Sequence, residues 1–171
     1  MTGEPIIVRP AGVEDAAALI EFLREFQSEA HPGVLAPTRA LPTQEQEVSW
    51  IRSFLEYESS HLLVACKGED VVGILEFRGH RHPQMKHGGT LGTSLLPAVR
   101  GLGVGFQLMK TLFTWATVHP TLHRIELEVF SSNTQAIAFY ERQGFVREGA
   151  RQNAVVIEGK YQDIVLMARQ V

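Results

Sequence analysis

The chain has 171 residues, 44% hydrophobic and 20% charged, with 19 acidic side chains against 16 basic, which suits a single domain over 1–171 burying about two thirds of its extended-chain surface. The acidic excess and the absence of any dense basic run argue against a nucleic-acid partner. No apolar run approaches the ~18 residues of a membrane helix, Glu4 and Pro5 precede the first apolar residues where a secretory leader would begin, and Cys66 has no second cysteine to pair with, so the expectation is a cytoplasmic protein without a membrane partner.

Residues 6–8 form a short β-run, and after Pro10 a helix is expected from about Val13. Glu14 and Asp15 suit its positive end, and Ala18, Leu19, Phe22, Leu23 and Phe26 recur at helical spacing. Residues 31–42 hold three prolines and a glycine and read as a loop. Thr43 with Gln46 forms a capping box, opening a helix that buries Val48, Ile51 and Leu55 along with Trp50 and Phe54. A hairpin follows, with strands at 62–66 and 71–77 about a Gly68-Glu69-Asp70 turn; Cys66, in the first of them, reads as a small buried thiol. Residues 79–89 read as a polar loop and 90–96 as a strand. A helix over Val104–Val118, a strand at 125–130, a helix at 134–143 and two strands near 145–156 and 161–167, joined at Glu158-Gly159, complete the order βααβββαβαββ. That is one mixed α/β domain.

The strand at 90–96 runs through Pro97 into Arg100-Gly101-Leu102-Gly103-Val104-Gly105, which opens the helix. Three glycines in five residues let a ligand approach the backbone closely. The amides that follow are unpaired first-turn donors at a helix end carrying roughly +0.5 charge, a site for an anion and most often phosphate. The plainer reading is a tight strand-to-helix turn. Glu126 and Glu128 alternate with Ile125, Leu127 and Val129 and share one strand face, either as a solvated face or as a general base. Tyr140, four residues after Ala136 and three after Ile137, points inward from its helix as a core aromatic or a functional hydroxyl. His80, His82 and His87 lie in a loop with no fixed tetrahedral set, so no metal is expected.

The glycine segment followed by SSNTQAIAFYERQGF, with Asn133, Ala136, Tyr140, Gly144 and Phe145, resembles the Gcn5-related N-acetyltransferases from about Val8 onward. The resemblance implies the fold of that family: a single mixed, mostly antiparallel sheet of about seven strands flanked by about four helices. It implies acetyl-CoA as cosubstrate, its pyrophosphate on Arg100, Gly101, Leu102, Gly103, Val104 and Gly105, with Asn133 against the pantetheine arm and the Tyr140 hydroxyl near the sulfur. An amide at or next to Leu95, freed by a bulge, would polarise the thioester carbonyl. Glu128 would be the general base, with Glu126 as fallback. The closing Gly159, Tyr161, Asp163 and Met167 resemble the branch of ribosomal-protein alanine and L-amino-acid N-acetyltransferases. The expected acceptor is therefore a primary amine of an amino acid-like small molecule or a peptide N-terminus, chosen by loops 31–42 and 79–89; a homodimer is compatible with the resemblance. Two rivals stand beside it. A dinucleotide-binding domain is opposed by the Gly-x-Gly-x-Gly spacing and by Pro97 between strand and glycines. A non-catalytic acetyl-CoA sensor is opposed by Asn133 and Tyr140 standing together.

Overall fold

The computed structural model describes residues 4–28 and 40–171; of the expected loop at 31–42, all but the last three residues lie outside the described ones. The strands are β1 (Ile6–Pro10), β2 (His61–Lys67), β3 (Asp70–Gly79), β4 (Gly88–Leu95), β5 (Arg124–Phe130), β6 (Val146–Ile157) and β7 (Lys160–Gln170). The helices are α1 (Ala16–Ser28), α2 (Gln44–Leu55), α3 (Val104–Val118) and α4 (Thr134–Arg142). Strands and helices follow the expected order, and the seven strands make one sheet, β1-β2-β3-β4-β5-β7-β6. Every pairing is antiparallel except β4 with β5.

Boundaries moved where local chemistry was hard to read. The first helix opens with a 3-10 turn at Val13–Asp15, where Asp15 accepts from the Gly12 amide (2.8 Å) and pairs with Arg9 (2.6 Å). The expected capping box holds α2: Thr43 N–H donates to Gln46 Oε1 (2.9 Å) and Gln46 N–H to Thr43 Oγ1 (3.3 Å). The polar loop at 79–89 shrinks to 80–87, because β3 and β4 stay paired through Gly79↔Gly89. Glycines carry no strand propensity, yet a Cβ at Gly89 would collide with the Phe77 ring and one at Gly79 with Ser59. Close packing dictates both.

Side chains along β3 separate the two faces of the sheet. Phe77 meets Trp115 of α3, with ring centroids 5.7 Å apart, while the Arg78 guanidinium lies 3.7 Å from the Phe54 ring centroid on α2. So α3 covers one face and α2 the other, with α1 against α2 and β3. Phe22, Phe54, Leu63, Leu75, Phe77, Leu108, Leu112 and Ile125 are fully buried between the layers.

The consequential irregularity lies between β4 and β5. They pair only from Gly88↔Arg124 to Thr90↔Glu126, whereas β4 continues beside β3 to Gly73↔Leu95. Past Thr90 the parallel strands part and leave a slot in the sheet. The expected bulge near Leu95 is absent: the β3–β4 register runs without a shift. Parting from β5, not a bulge, is what strips β4 of a partner on that side.

Candidate active site between the parted strands

A cleft of about 930 Å³ fills the slot, lined by β4, the glycine segment, α4 and Phe26 of α1. Thr93, Leu95, Arg100, Gly101, Gly103, Gly105, Asn133 and Tyr140 all line it, so most of the residues singled out in the sequence converge here. Leu102 and Val104 do not line it: the Leu102 side chain is 66% exposed on the outside and Val104 is buried in the core.

The glycines take the conformations that the anion reading requires. Gly101 (φ 75°) and Gly103 (φ 83°) are left-handed, and a Cβ at either would meet no atom within 4 Å, so the space above them is open. Gly103 caps α3, and its carbonyl accepts the first helical bond, from Gln107 (3.1 Å). The Leu102 amide turns inward to the Val99 carbonyl (3.4 Å), which removes it from the expected phosphate set. Among the described residues no backbone carbonyl accepts from the amides of Gly101, Gly103, Val104, Gly105 or Phe106. Gly105 is needed for another reason: a Cβ there would stand 3.4 Å from the Phe139 ring and 3.5 Å from Leu95, where α3, α4 and β4 converge.

Leu95 earns its expected place through ladder geometry. The Leu96 amide donates to Val72 of β3 (3.0 Å). Donors alternate along an antiparallel strand, so the amides of Leu91, Thr93 and Leu95 look the other way, toward the side that β5 has left. The Leu95 carbonyl, on that same side, accepts from Arg100 Nε (3.0 Å), which locks the end of the strand to the glycine segment. The Leu95 side chain lies over Gly73, where a Cβ would fall 2.5 Å from Leu95 Cδ2.

Tyr140 packs edge-on against Phe139 (5.4 Å) and Phe145 (5.7 Å), the hydrophobic contact expected of it, and also lines the cleft. Burial raises the pKa of its phenol, and the Thr93 hydroxyl beside it opposes the rise in part. That neighbour lacks good hydrogen-bond geometry: Thr93 Oγ1 is buried and satisfied by no partner in the structure. Thr93 is a residue the sequence reading missed. Its signal was the two-residue alternation that puts it on the face of Leu95. Asn133 caps α4, with Oδ1 accepting from the Ala136 amide (3.1 Å), while also lining the cleft.

The two candidate bases lie elsewhere. Glu126 and Glu128 share a face, as alternation required, but it is the α1/α2 face, and neither lines the cleft. Glu128 is half exposed and ion-paired with Arg151 of β6. Glu126 is held by Arg124 Nε (2.8 Å), which also pairs with Glu148, and stands 3.8 Å from His80 Nε2. The closing-segment residues also shape the hairpin instead of the cleft. Gly159 (φ 74°) makes the β6–β7 turn, Tyr161 is exposed, and Asp163 Oδ1 accepts from the Asn153 amide (2.8 Å). Cys66 is buried as expected, and burial raises its thiol pKa.

Comparisons with known proteins agree with this architecture. The model of the acetyltransferase (GNAT) family matches residues 20–145. The L-amino acid N-acetyltransferase AaaT of Escherichia coli (strain K12) is 29% identical over 164 residues, covering 96% of this chain and 97% of that protein. A GNAT-family acetyltransferase from Streptococcus pneumoniae superposes with a TM-score of 0.91 at 26% identity, covering 98% of this chain and 100% of that one. The protein yncA from Salmonella typhimurium, solved with acetyl-CoA, shares the fold at a TM-score of 0.81 and 19% identity, over 96% and 93% of the two chains.

Proposed function

The chain belongs to the acetyltransferase (GNAT) family, and on that premise we propose that it moves an acetyl group from acetyl-CoA to the primary α-amine of an amino acid or a peptide N-terminus, by direct transfer. The observation that carries this reading is the glycine segment, its left-handed glycines open to solvent, capping α3 at the mouth of the slot between β4 and β5. A pyrophosphate bound there would meet the amides of Gly101, Gly103, Val104 and Gly105 with Arg100 beside them, and the pantetheine arm would run down the slot past Asn133. The thioester oxygen would accept from the Leu95 amide, as in an oxyanion hole. The amine attacks the thioester carbon, the C–S bond breaks, and the Tyr140 hydroxyl hydrogen-bonds the departing sulfur. The proton of the incoming ammonium leaves on the α1/α2 face, where Glu76, Glu126 and Glu128 stand.

The α-amine preference rests on the similarity to the E. coli L-amino acid enzyme over nearly the full length of both chains. Thiol release from acetyl-CoA, followed with a panel of L-amino acids, dipeptides with free N-termini and spermidine, tests it. Turnover of amino acids or dipeptides above spermidine is the expected result. Turnover of spermidine alone would replace the acceptor class, and none with any amine would remove the transferase reading.

A further inference from the structure

We infer that Glu76 is the carboxylate that receives the acceptor ammonium and takes its proton, in place of Glu126 and Glu128, which arginines hold. The inference rests on the acetyltransferase reading above and names the residue that completes it.

Glu76 belongs to β3 and points to the α1/α2 face, one residue from Phe77 on the opposite face and two from Arg78 on the same one. Its cross-strand partner on β4 is Gly92, two residues past the last β4–β5 pair, where the slot has opened. A Cβ on Gly92 would lie 2.8 Å from Glu76 Oε1 and 3.0 Å from its Cγ. The side chain therefore lies across β4 in space that only glycine leaves, with a carboxylate oxygen over Gly92. On the other face, the next β4 residue is Thr93, beside Tyr140. One strand thickness thus separates this carboxylate from the group that meets the leaving sulfur. Phe26 of α1 lines the same cleft as Tyr140, so the cleft extends toward the α1/α2 face, although Glu76, like Glu126 and Glu128, stands outside its lining.

The surroundings of Glu76 suit proton exchange. No hydrogen bond or ion pair holds its carboxylate among the described residues, whereas Arg124 holds Glu126 and Arg151 holds Glu128. β2 presents Leu62 opposite it and β4 presents Gly92. Arg78 is the charged group that acts on it, and α2 engages that guanidinium with the Phe54 ring, the Trp50 ring and Ser53 Oγ. Burial raises the Glu76 pKa, and Arg78 opposes this in part. A carboxylate so shifted exchanges protons nearer neutral pH than an exposed one. In the step, an R–NH3⁺ proton passes to the Glu76 carboxylate, directly or through one water, leaving R–NH2 and a carboxylic acid. The amine forms the new C–N bond, the C–S bond breaks, and the nitrogen's second proton ends on the departing thiolate. Glu76 then returns its proton to solvent.

Glu76→Gln, Glu76→Asp, Glu128→Gln and Gly92→Ala, assayed with the best amine of the panel above, test the role. Glu76→Gln should lower kcat/KM for the amine by about a hundredfold near neutral pH, with the deficit shrinking toward pH ~9.5 as free amine becomes available unaided. Acetyl-CoA affinity by calorimetry should stay within about twofold, and Glu76→Asp should recover part of the activity. Gly92→Ala should reproduce the loss with Glu76 intact, since the added methyl meets only a movable side chain. The melting temperature adds a readout that a structural role would move the other way. A carboxylate with a raised folded pKa contributes stability below its unfolded pKa and loses it as pH rises through the folded one. Glu76→Gln should therefore melt no lower than wild type at pH ~8. A folded, acetyl-CoA-binding Glu76→Gln enzyme within threefold of wild type, or the pH-dependent loss falling on Glu128→Gln instead, overturns this assignment alone. A wild type that binds acetyl-CoA but acetylates no amine overturns the transferase reading and this inference with it.

Discussion

Single atoms decide the chemistry at Tyr140. A phenol near pKa 10 handing its proton outright to a thiolate near 8.5 works uphill by about 2 kcal/mol, and burial raises the phenol further. A hydrogen bond that strengthens as charge gathers on sulfur is the better account of its role. Tyr140→Phe keeps the packing against Phe139 and Phe145 and removes only that bond. Turnover should drop by about tenfold to a thousandfold while acetyl-CoA affinity holds. Single-turnover rates check this; a chemical step within twofold of wild type would leave Tyr140 as a packing residue only.

A helix end is a binding device and a stability element at once, and Gly103 separates the two roles. It caps α3 at φ 83° with open space above it. Aspartate tolerates the left-handed region better than most residues but is strained at this φ, so Gly103→Asp should cost the fold about 1 kcal/mol. The same carboxylate would occupy the electropositive end intended for the pyrophosphate. Acetyl-CoA affinity should fall by about a hundredfold or more in calorimetry, with the melting temperature lowered by only about 2–4 °C. Unaltered affinity in the folded variant would move the phosphate site off this loop. β4 makes the complementary point, since it needs β3 on one side and the loss of β5 on the other to present the Leu95 amide.

For the molecule as a whole, the first turn after β1 is pinned by one ion pair. Asp15, with a side chain 7% exposed, receives both terminal nitrogens of Arg9 and the Gly12 amide. The Arg9 hydrogen bonds hold its pKa below the ordinary carboxylate value, helped by the Gly12 amide and opposed by burial. A carboxylate with a depressed folded pKa contributes stability above its unfolded value, about 3.9, and loses it as pH falls through the folded value. Arg9 is 43% exposed, so solvent discounts the pair. Asp15→Asn should cost about 1–2 kcal/mol at neutral pH. That gap should narrow as pH falls below ~4. Urea titrations at pH 7, 5 and 3.5 measure it; a gap independent of pH would make the contribution one of packing alone.

Much of this protein was legible in one dimension because its signals are local. Helical spacing in 16–28 and 104–118, the Thr43–Gln46 box, the β2–β3 hairpin turn and the three glycines before α3 each depend on neighbours a few residues away. The Gly101, Gly103 and Gly105 cluster is legible for that reason, and Asn133 and Tyr140 through the resemblance that their segment carries. What the sequence could not state are relations between distant segments. Whether β4 bulges or merely parts from β5 depends on the register of two strands more than thirty residues apart in the chain. Arg151 and Arg124, which hold Glu128 and Glu126, lie on different strands, and the partner of Arg124 on β6 is set by two register shifts along the β6–β7 hairpin. Glu76 drew no notice as one acid in an alternating strand. It became notable only when Gly92, sixteen residues later, was brought opposite it. Local periodicity determined which segments fold and which face each buries. Tertiary register decided which side chains meet, because side chains from separate strands share a surface only once the strands are aligned.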